Sequence, residues 1–229
     1  MTAADELKRA AATHAVDEFI RSGMVVGLGT GSTAIHATRR IGELLASGAL
    51  AGITGVPTAI ATADEARKVG IPLIGDDEPW AVDVTIDGAD EVDPALDLIK
   101  GGGGALLREK LVAQASAFEV IVVDESKRSR VLGTNFALPV EVVEFGLATT
   151  IRLVEHLGAA VAVRGGDTPI RTDQGNLVLD CAFGPIGDPH ALATVLASHA
   201  GVVEHGLFLG LTNALVVAGR DGVEVIRKA

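Results

Sequence analysis

Apolar residues recur along this chain in two alternating rhythms, and the alternation itself indicates a fold class. Residues 5–21 place Leu7, Ala10, Ala11, His14, Ala15, Glu18 and Phe19 at helical spacing, a mostly apolar stripe that predicts a helix capped by Thr2 or Asp5. Residues 24–28 (MVVGL) are a short unbroken apolar run, as in a buried strand, and a helix is expected from there to about residue 45. Further strands are predicted at 53–56, 71–74, 81–86 and 120–123, with helices at 62–69 and about 105–117. Strands and helices that alternate in this way predict a parallel, doubly wound sheet.

After Gly133 the order of elements changes. Strands are predicted at 138–143, 160–163, 177–182 and 202–206, with helices at 145–157 and 189–199. That β-α-β-β-α-β order is the split βαβ of ferredoxin-like domains. Residues 207–217 and 223–226 read as strands returning to the first sheet. The expected fold class is therefore α/β: a Rossmann-like parallel-sheet domain, residues 1–132 and 207–229, with an inserted ferredoxin-like α+β domain at 133–206.

Composition narrows the functions this fold can carry. A hydrophobic share of 48% with 21% charged residues is ordinary for a globular protein, and no run is apolar for long enough to span a membrane. The net charge of −11, with one Trp and no Tyr, opposes nucleic-acid binding, which wants basic patches and stacking aromatics. A single cysteine, Cys181, rules out an intramolecular disulfide, fits a reducing compartment and predicts a cytoplasmic location. Its setting, LVLDCAF, suits a buried small hydrophobe. His14 has no partner motif and is expected to be structural.

The candidate chemistry gathers in DGADEVDPALDLIKGGGGALLREK, residues 87–110. Asp87 stands at the carboxyl end of a predicted strand, where ligands of open α/β sheets bind. Asp90, Lys100 and Glu109 follow, and Gly101, Gly102 and Gly103 with Gly104 can turn at positive φ and present amides to an anion. Asp87, Asp90, Glu91 and Asp93 could instead gather a hard cation, but a lysine and a glycine nest suit an anionic ligand better. A second glycine turn, Gly29-Thr30-Gly31-Ser32-Thr33, links a strand to a helix N-terminus and can cradle a phosphate. A dinucleotide fingerprint would need glycine at position 32 and an acid after the next strand, and neither is present, which argues against NAD. On residues alone, Lys8 and Lys127 read as surface lysines.

DELKRAA, VVGLGTGSTA, TIDGADEVD, IKGGGGALLREK, VVDESK and LPVEVV, in this order, closely resemble the ribose-5-phosphate isomerase A family, and the likeness runs from about Asp5 to GLFLGLTNALVVAG. The resemblance implies a Rossmann-like domain with a ferredoxin-like insert, and interconversion of ribose 5-phosphate and ribulose 5-phosphate without metal or cofactor. It implies a homodimer or homotetramer whose partner is a small sugar phosphate, with no nucleic acid and no membrane. It assigns Glu109 as the base between C2 and C1, Asp87 and Asp90 to the sugar hydroxyls and ring opening, and Lys100 to the enediolate oxygen. Lys8, Gly29, Thr30, Gly31, Ser32, Thr33, Gly101, Gly102, Gly103 and Lys127 would bind the substrate, chiefly its phosphate. These residue types suit the reaction, because removing a weakly acidic C–H needs a held carboxylate and a positive group at the growing oxyanion. One departure is Ala59, where the family's loop is expected to carry serine.

Three other readings compete. A non-catalytic sugar-phosphate-sensing module would keep the GTGST turn but has no need of Glu109 and Lys100. An acyl-CoA transferase-like enzyme would not require DGADE, and a NAD-dependent dehydrogenase fails on position 32 and the missing acid.

Overall fold

Thr2 and Asp5 set the start of the first helix by capping each other. The Asp5 amide donates to the Thr2 hydroxyl and the Thr2 amide to the Asp5 carboxylate, a capping box opening α1 (Ala3–Phe19). The Thr2 hydroxyl and amide hold the Asp5 carboxyl below its ordinary value. The computed structural model describes residues 2–228. After α1 come β1 (Val25–Leu28), α2 (Ala34–Ala46), β2 (Thr54–Pro57), α3 (Ile60–Lys68), β3 (Val82–Asp87), β4 (Glu91–Val92), β5 (Leu98–Ile99), α4 (Leu106–Ala115) and β6 (Ser116–Asp124). The chain continues through β7 (Leu138–Val142), α5 (Leu147–His156), β8 (Ala160–Val163), β9 (Leu177–Ala182), α6 (Pro189–Ala197), β10 (Val202–His205), β11 (Leu207–Phe208), β12 (Ala214–Gly219) and β13 (Gly222–Arg227).

These elements divide into two units. The first comprises Met1–Gly88, Arg108–Ser126 and Leu211–Ala229, and its sheet runs β13-β12-β6-β3-β1-β2. All neighbours in that sheet are parallel except the edge hairpin β12–β13. The middle of β6 is apolar on both faces, as a covered parallel sheet requires, and Val120 to Val123 are all buried. Ala11, Ala12, Ala15 and Val16 of α1 pack against Val84, Val120 and Val216. Their small side chains let the helix lie close to the sheet. This buried face is rotated from the expected stripe: Ala10 and His14 are exposed, and His14 pairs with Glu18 at 3.0 Å on the surface.

The second unit comprises Ala89–Leu107 and Lys127–Gly210. Its four-stranded sheet, β10-β7-β9-β8, is antiparallel throughout, the ferredoxin-like strand order, and α5 and α6 pack on its apolar face through Val154 and Leu196. A separate small sheet runs β11-β5-β4. The unit therefore takes in residues 89–107, 127–132 and 207–210, which lie outside the expected insert of 133–206.

Two expected strands differ in the structure. Residues 71–74 make only an isolated parallel bridge, Gly55 to Leu73, because Pro72 has no amide to donate and can offer only its carbonyl, to Gly55 at 2.7 Å. The single strand expected at 207–217 is broken in two. Its start joins β5 antiparallel as β11, Gly210 turns at φ 72° and donates to Asp97, and pairing with β6 begins only at Ala214.

Cys181 is fully buried in β9 opposite Leu138 and Val161, and burial, with Asp180 adding to it, pushes its thiol up to about 12. A thiol above pH 8 by that margin carries almost no thiolate, the reactive form. We expect no labelling of the native protein by Ellman's reagent at pH 8 and one thiol per chain after unfolding in guanidinium. Fast native labelling would show that β9 opens.

Candidate active site

In the first unit, the strand order places β1 between β2 and β3, and the connections leaving the adjacent strands β1 and β3 run in opposite directions, to β2 and to β6. At such a switch point the carboxyl ends of the strands diverge and open a crevice. The residues there are the GTGST turn after β1 and Asp87 closing β3. The Gly29 amide continues the parallel ladder to the Ile86 carbonyl at 3.0 Å. The Thr30 amide donates to Asp87 Oδ1 at 3.1 Å, and the Gly88 amide donates to the same oxygen at 2.7 Å. Asp87 is 1% exposed and is held by these amides at the strand end. Gly29 is required here, because a Cβ would lie 2.3 Å from Asp87 Oδ1 and 2.5 Å from its Cα.

The turn then opens outward. Gly31, at φ 109°, and Ser32 are exposed, and Thr33 heads α2 without a side-chain cap. Lys8, from α1, reaches across 24 residues of sequence to donate to Ser32 Oγ at 2.9 Å. A cation and a helix N-terminus are thus brought together in a chain of net charge −11. Burial, then Arg39 and Arg9, hold His36 below its ordinary value, with Asp5 opposing them. Beneath the turn, Thr58 and Thr62 hydroxyls lie 2.7 and 3.1 Å from Thr30 Oγ1 and donate to the Leu28 and Gly29 carbonyls. These two buried threonines are bracing residues that the sequence did not single out, because Thr58 before α3 and Thr62 in its first turn belong to no recognisable motif. Glu109 belongs to the same unit, in the first turn of α4, and is only 5% exposed. A carboxylate in that turn is favoured by the helix dipole.

The second unit holds the remaining candidates. Lys100 follows β5 and is 2% exposed. Its amide donates to Gly206, and its ammonium lies 5.4 Å from the Phe208 ring centre. In the glycine turn, Gly101 adopts φ 103° with no room for a Cβ, which would sit 2.9 Å from Leu106. The Gly102 amide donates to Asp90 Oδ2 at 2.7 Å, and a Cβ on Gly102 would meet Asp90 Oδ1 at 2.6 Å. Gly103 is exposed in the same turn. The far side of the turn is held by Arg164, which donates to the Gly101 and Gly102 carbonyls at 2.8 and 3.2 Å. Lys127 ends the one-turn 3-10 helix Glu125–Lys127 and is half-buried.

Two acids considered for a cation have other work. Glu91 accepts the Gly133 and Asn135 amides at 2.9 and 3.2 Å. Asp93 closes a turn onto the Ala95 and Asp97 amides, and burial raises its carboxyl above the ordinary value.

The sequence profile described as ribose 5-phosphate isomerase A (phosphoriboisomerase A) matches residues 54–222, well over half of the chain. The chain belongs to that family. Ribose-5-phosphate isomerase A of Chloroflexus aurantiacus is 58% identical over 97% of this chain and 94% of its own length. The protein of that name from Desulfatibacillum aliphaticivorans is 54% identical over the whole of both chains. Among solved structures, ribose 5-phosphate isomerase from Plasmodium falciparum matches with a TM-score of 0.94 at 41% identity, covering 98% of this chain and 99% of that one. A D-ribose-5-phosphate isomerase solved in complex with phospho-erythronic acid matches with a TM-score of 0.95 at 36% identity, over 99% and 100%. The sensing-module alternative finds no support in these relatives.

Two substitutions test the turns that follow β1 and β2. Gly29→Ala drives a Cβ into the Asp87 backbone, so stability should fall by about 3 kcal/mol, the upper end of overpacking costs. Denaturant unfolding with an unchanged midpoint would show that the turn can yield. Ala59 is the N-cap of α3 with extended φ −154° and ψ 160° and makes no side-chain cap bond. Ala59→Ser should therefore add about 1 kcal/mol through a hydroxyl cap. A lower melting temperature would mean that the buried hydroxyl goes unsatisfied.

Proposed function

We propose that this chain interconverts D-ribose 5-phosphate and D-ribulose 5-phosphate through an enediolate. The observation that carries the reading is Lys8 donating to Ser32 at the head of α2, a phosphate cradle in a chain of this family. Gly31, Ser32 and Thr33 receive the phosphate with Lys8, and Lys127 adds a second cation. Gly29 and Thr30 contribute differently, since their amides are already given to Ile86 and Asp87; they shape the turn and aim the aspartate.

The chemistry then follows from the residue types. Glu109 takes the proton from C2 of the open-chain aldose as its carboxylate becomes a carboxylic acid. The C2–H electron pair forms the C1–C2 double bond, and the C1 carbonyl oxygen gains the negative charge. Lys100, with the Gly101–Gly103 turn, stabilises that oxyanion. Asp87 and Asp90 hold the sugar hydroxyls, assist ring opening and carry the proton between O2 and O1. Glu109 returns its proton to C1, which leaves a ketone at C2. Hydrogen and electrons balance within the sugar. Phospho-erythronic acid, held by one solved relative, bears a planar carboxylate that resembles the enediolate in shape and charge. A homodimer or homotetramer in the cytoplasm completes the proposal, on the strength of the family likeness, and light scattering of the purified protein reads the assembly.

The test is NMR of ribose 5-phosphate in D2O with EDTA-treated protein. Ribulose 5-phosphate should appear with deuterium at C1. Glu109→Gln should lower kcat by about 10²–10⁴-fold, the usual contribution of a positioned base, with KM little changed. Wild-type turnover by that variant would remove Glu109 from the base role, and saturable binding without turnover in the unaltered protein would return the sensing module.

A further inference from the structure

The KGGGG turn needs an external support. Four consecutive glycines have no side chains with which to pack and lose more conformational freedom on ordering than any other residues. Gly101 and Gly104 both stand at positive φ, and the Gly104 amide donates to the Gly101 carbonyl at 2.9 Å, which closes the turn without tying it to a neighbouring strand. Yet the Gly102 amide meets Asp90 at 2.7 Å, which requires the peptide plane to be held.

Arg164, which follows β8 in the same unit, supplies the hold. Its Nε and Nη2 grip the two oxygens of Asp180, on the neighbouring strand β9, and its Nη1 donates to the carbonyls of Gly101 at 2.8 Å and Gly102 at 3.2 Å. The side chain is 14% exposed and Asp180 32%, so the pair is only partly open to solvent. A planar guanidinium can face a carboxylate with one edge and backbone oxygens with another, which a lysine cannot do.

We propose that Arg164 is a positioning residue for the isomerisation. Anchored by Asp180, it fixes the Gly101 and Gly102 carbonyls, and so keeps the Gly102 amide aimed at Asp90 and the turn after Lys100 in register. Arg164 itself touches no reacting atom. The inference rests on the reading of this chain as a ribose-5-phosphate isomerase in which Asp90 and Lys100 act on the sugar. It adds to that reading a line of support from the ferredoxin-like strands to the glycine turn.

The experiment is steady-state kinetics of the full chain and of Arg164→Ala and Asp180→Asn, with thermal unfolding of each. A misplacement of about 1 Å typically costs on the order of 10²-fold. Arg164→Ala should therefore lower kcat by about 10–100-fold while KM stays within about twofold, because the phosphate is held elsewhere. Asp180→Asn, which leaves the guanidinium in place without its anchor, should lower kcat by a smaller factor at the same KM. It decides the matter if Arg164→Ala does not fold. An unchanged kcat in Asp180→Asn, or in a folded Arg164→Ala, overturns the proposal, as does a loss confined to KM. If the unaltered chain does not isomerise ribose 5-phosphate, the functional reading fails instead.

Discussion

The rest of the first unit depends on one carboxylate oxygen. Asp87 Oδ1 accepts two backbone amides, Thr30 after β1 and Gly88 after its own strand, and so ties the ends of two adjacent parallel strands together. The tie works only at close range, and that range is why position 29 has no side chain. Asp87 is buried, so its charge is met by oriented N–H groups in place of water. The strand order puts this junction at the sheet's switch point, and the turn that leaves it delivers Ser32 to Lys8. The tie between the two strand ends and the Lys8–Ser32 contact thus meet in one turn.

The second unit repeats the device with other parts. Asp90 accepts a glycine amide as Asp87 does, and Gly102, like Gly29, lacks the Cβ that would strike the carboxylate. In both cases an acidic residue is aimed by a glycine turn and not by packing of its own side chain. The remaining support differs: threonine hydroxyls brace the first turn from below, and an arginine holds the second by its carbonyls.

Much of this was legible in the sequence, for physical reasons. Strands buried on both faces leave unbroken apolar runs, so β1 and the middle of β6 stand out in the chain, while β3 shows through its alternating, β-branched residues. Glycine turns at strand ends are similarly plain, and they led to Asp87, Asp90 and the residues around them. What could not be read were contacts between side chains far apart in sequence. The Arg164 contact to Gly101 spans 63 residues, and an arginine before two glycines looks like any surface turn. The α1 stripe was misread by part of a turn because alanines are apolar without being committed to either side. The run from 207 to 217 appeared to be one strand because its β-propensity is continuous, while a competing partner, β5, takes its first residues.

The position of β12 in the sheet has a consequence for the order in which the protein can be made. β12 lies between β6 and β13, and Glu119 of β6 donates its amide to Asn213, 94 residues further along the chain. While residues 127–210 are leaving the ribosome, β6 stands as an exposed, strongly apolar sheet edge whose partner has not yet been synthesised. Such edges attract other chains. The four-stranded sheet of the second unit, β10-β7-β9-β8, lies wholly in that interval and can pair meanwhile, and the first sheet closes only when β12 and β13 arrive.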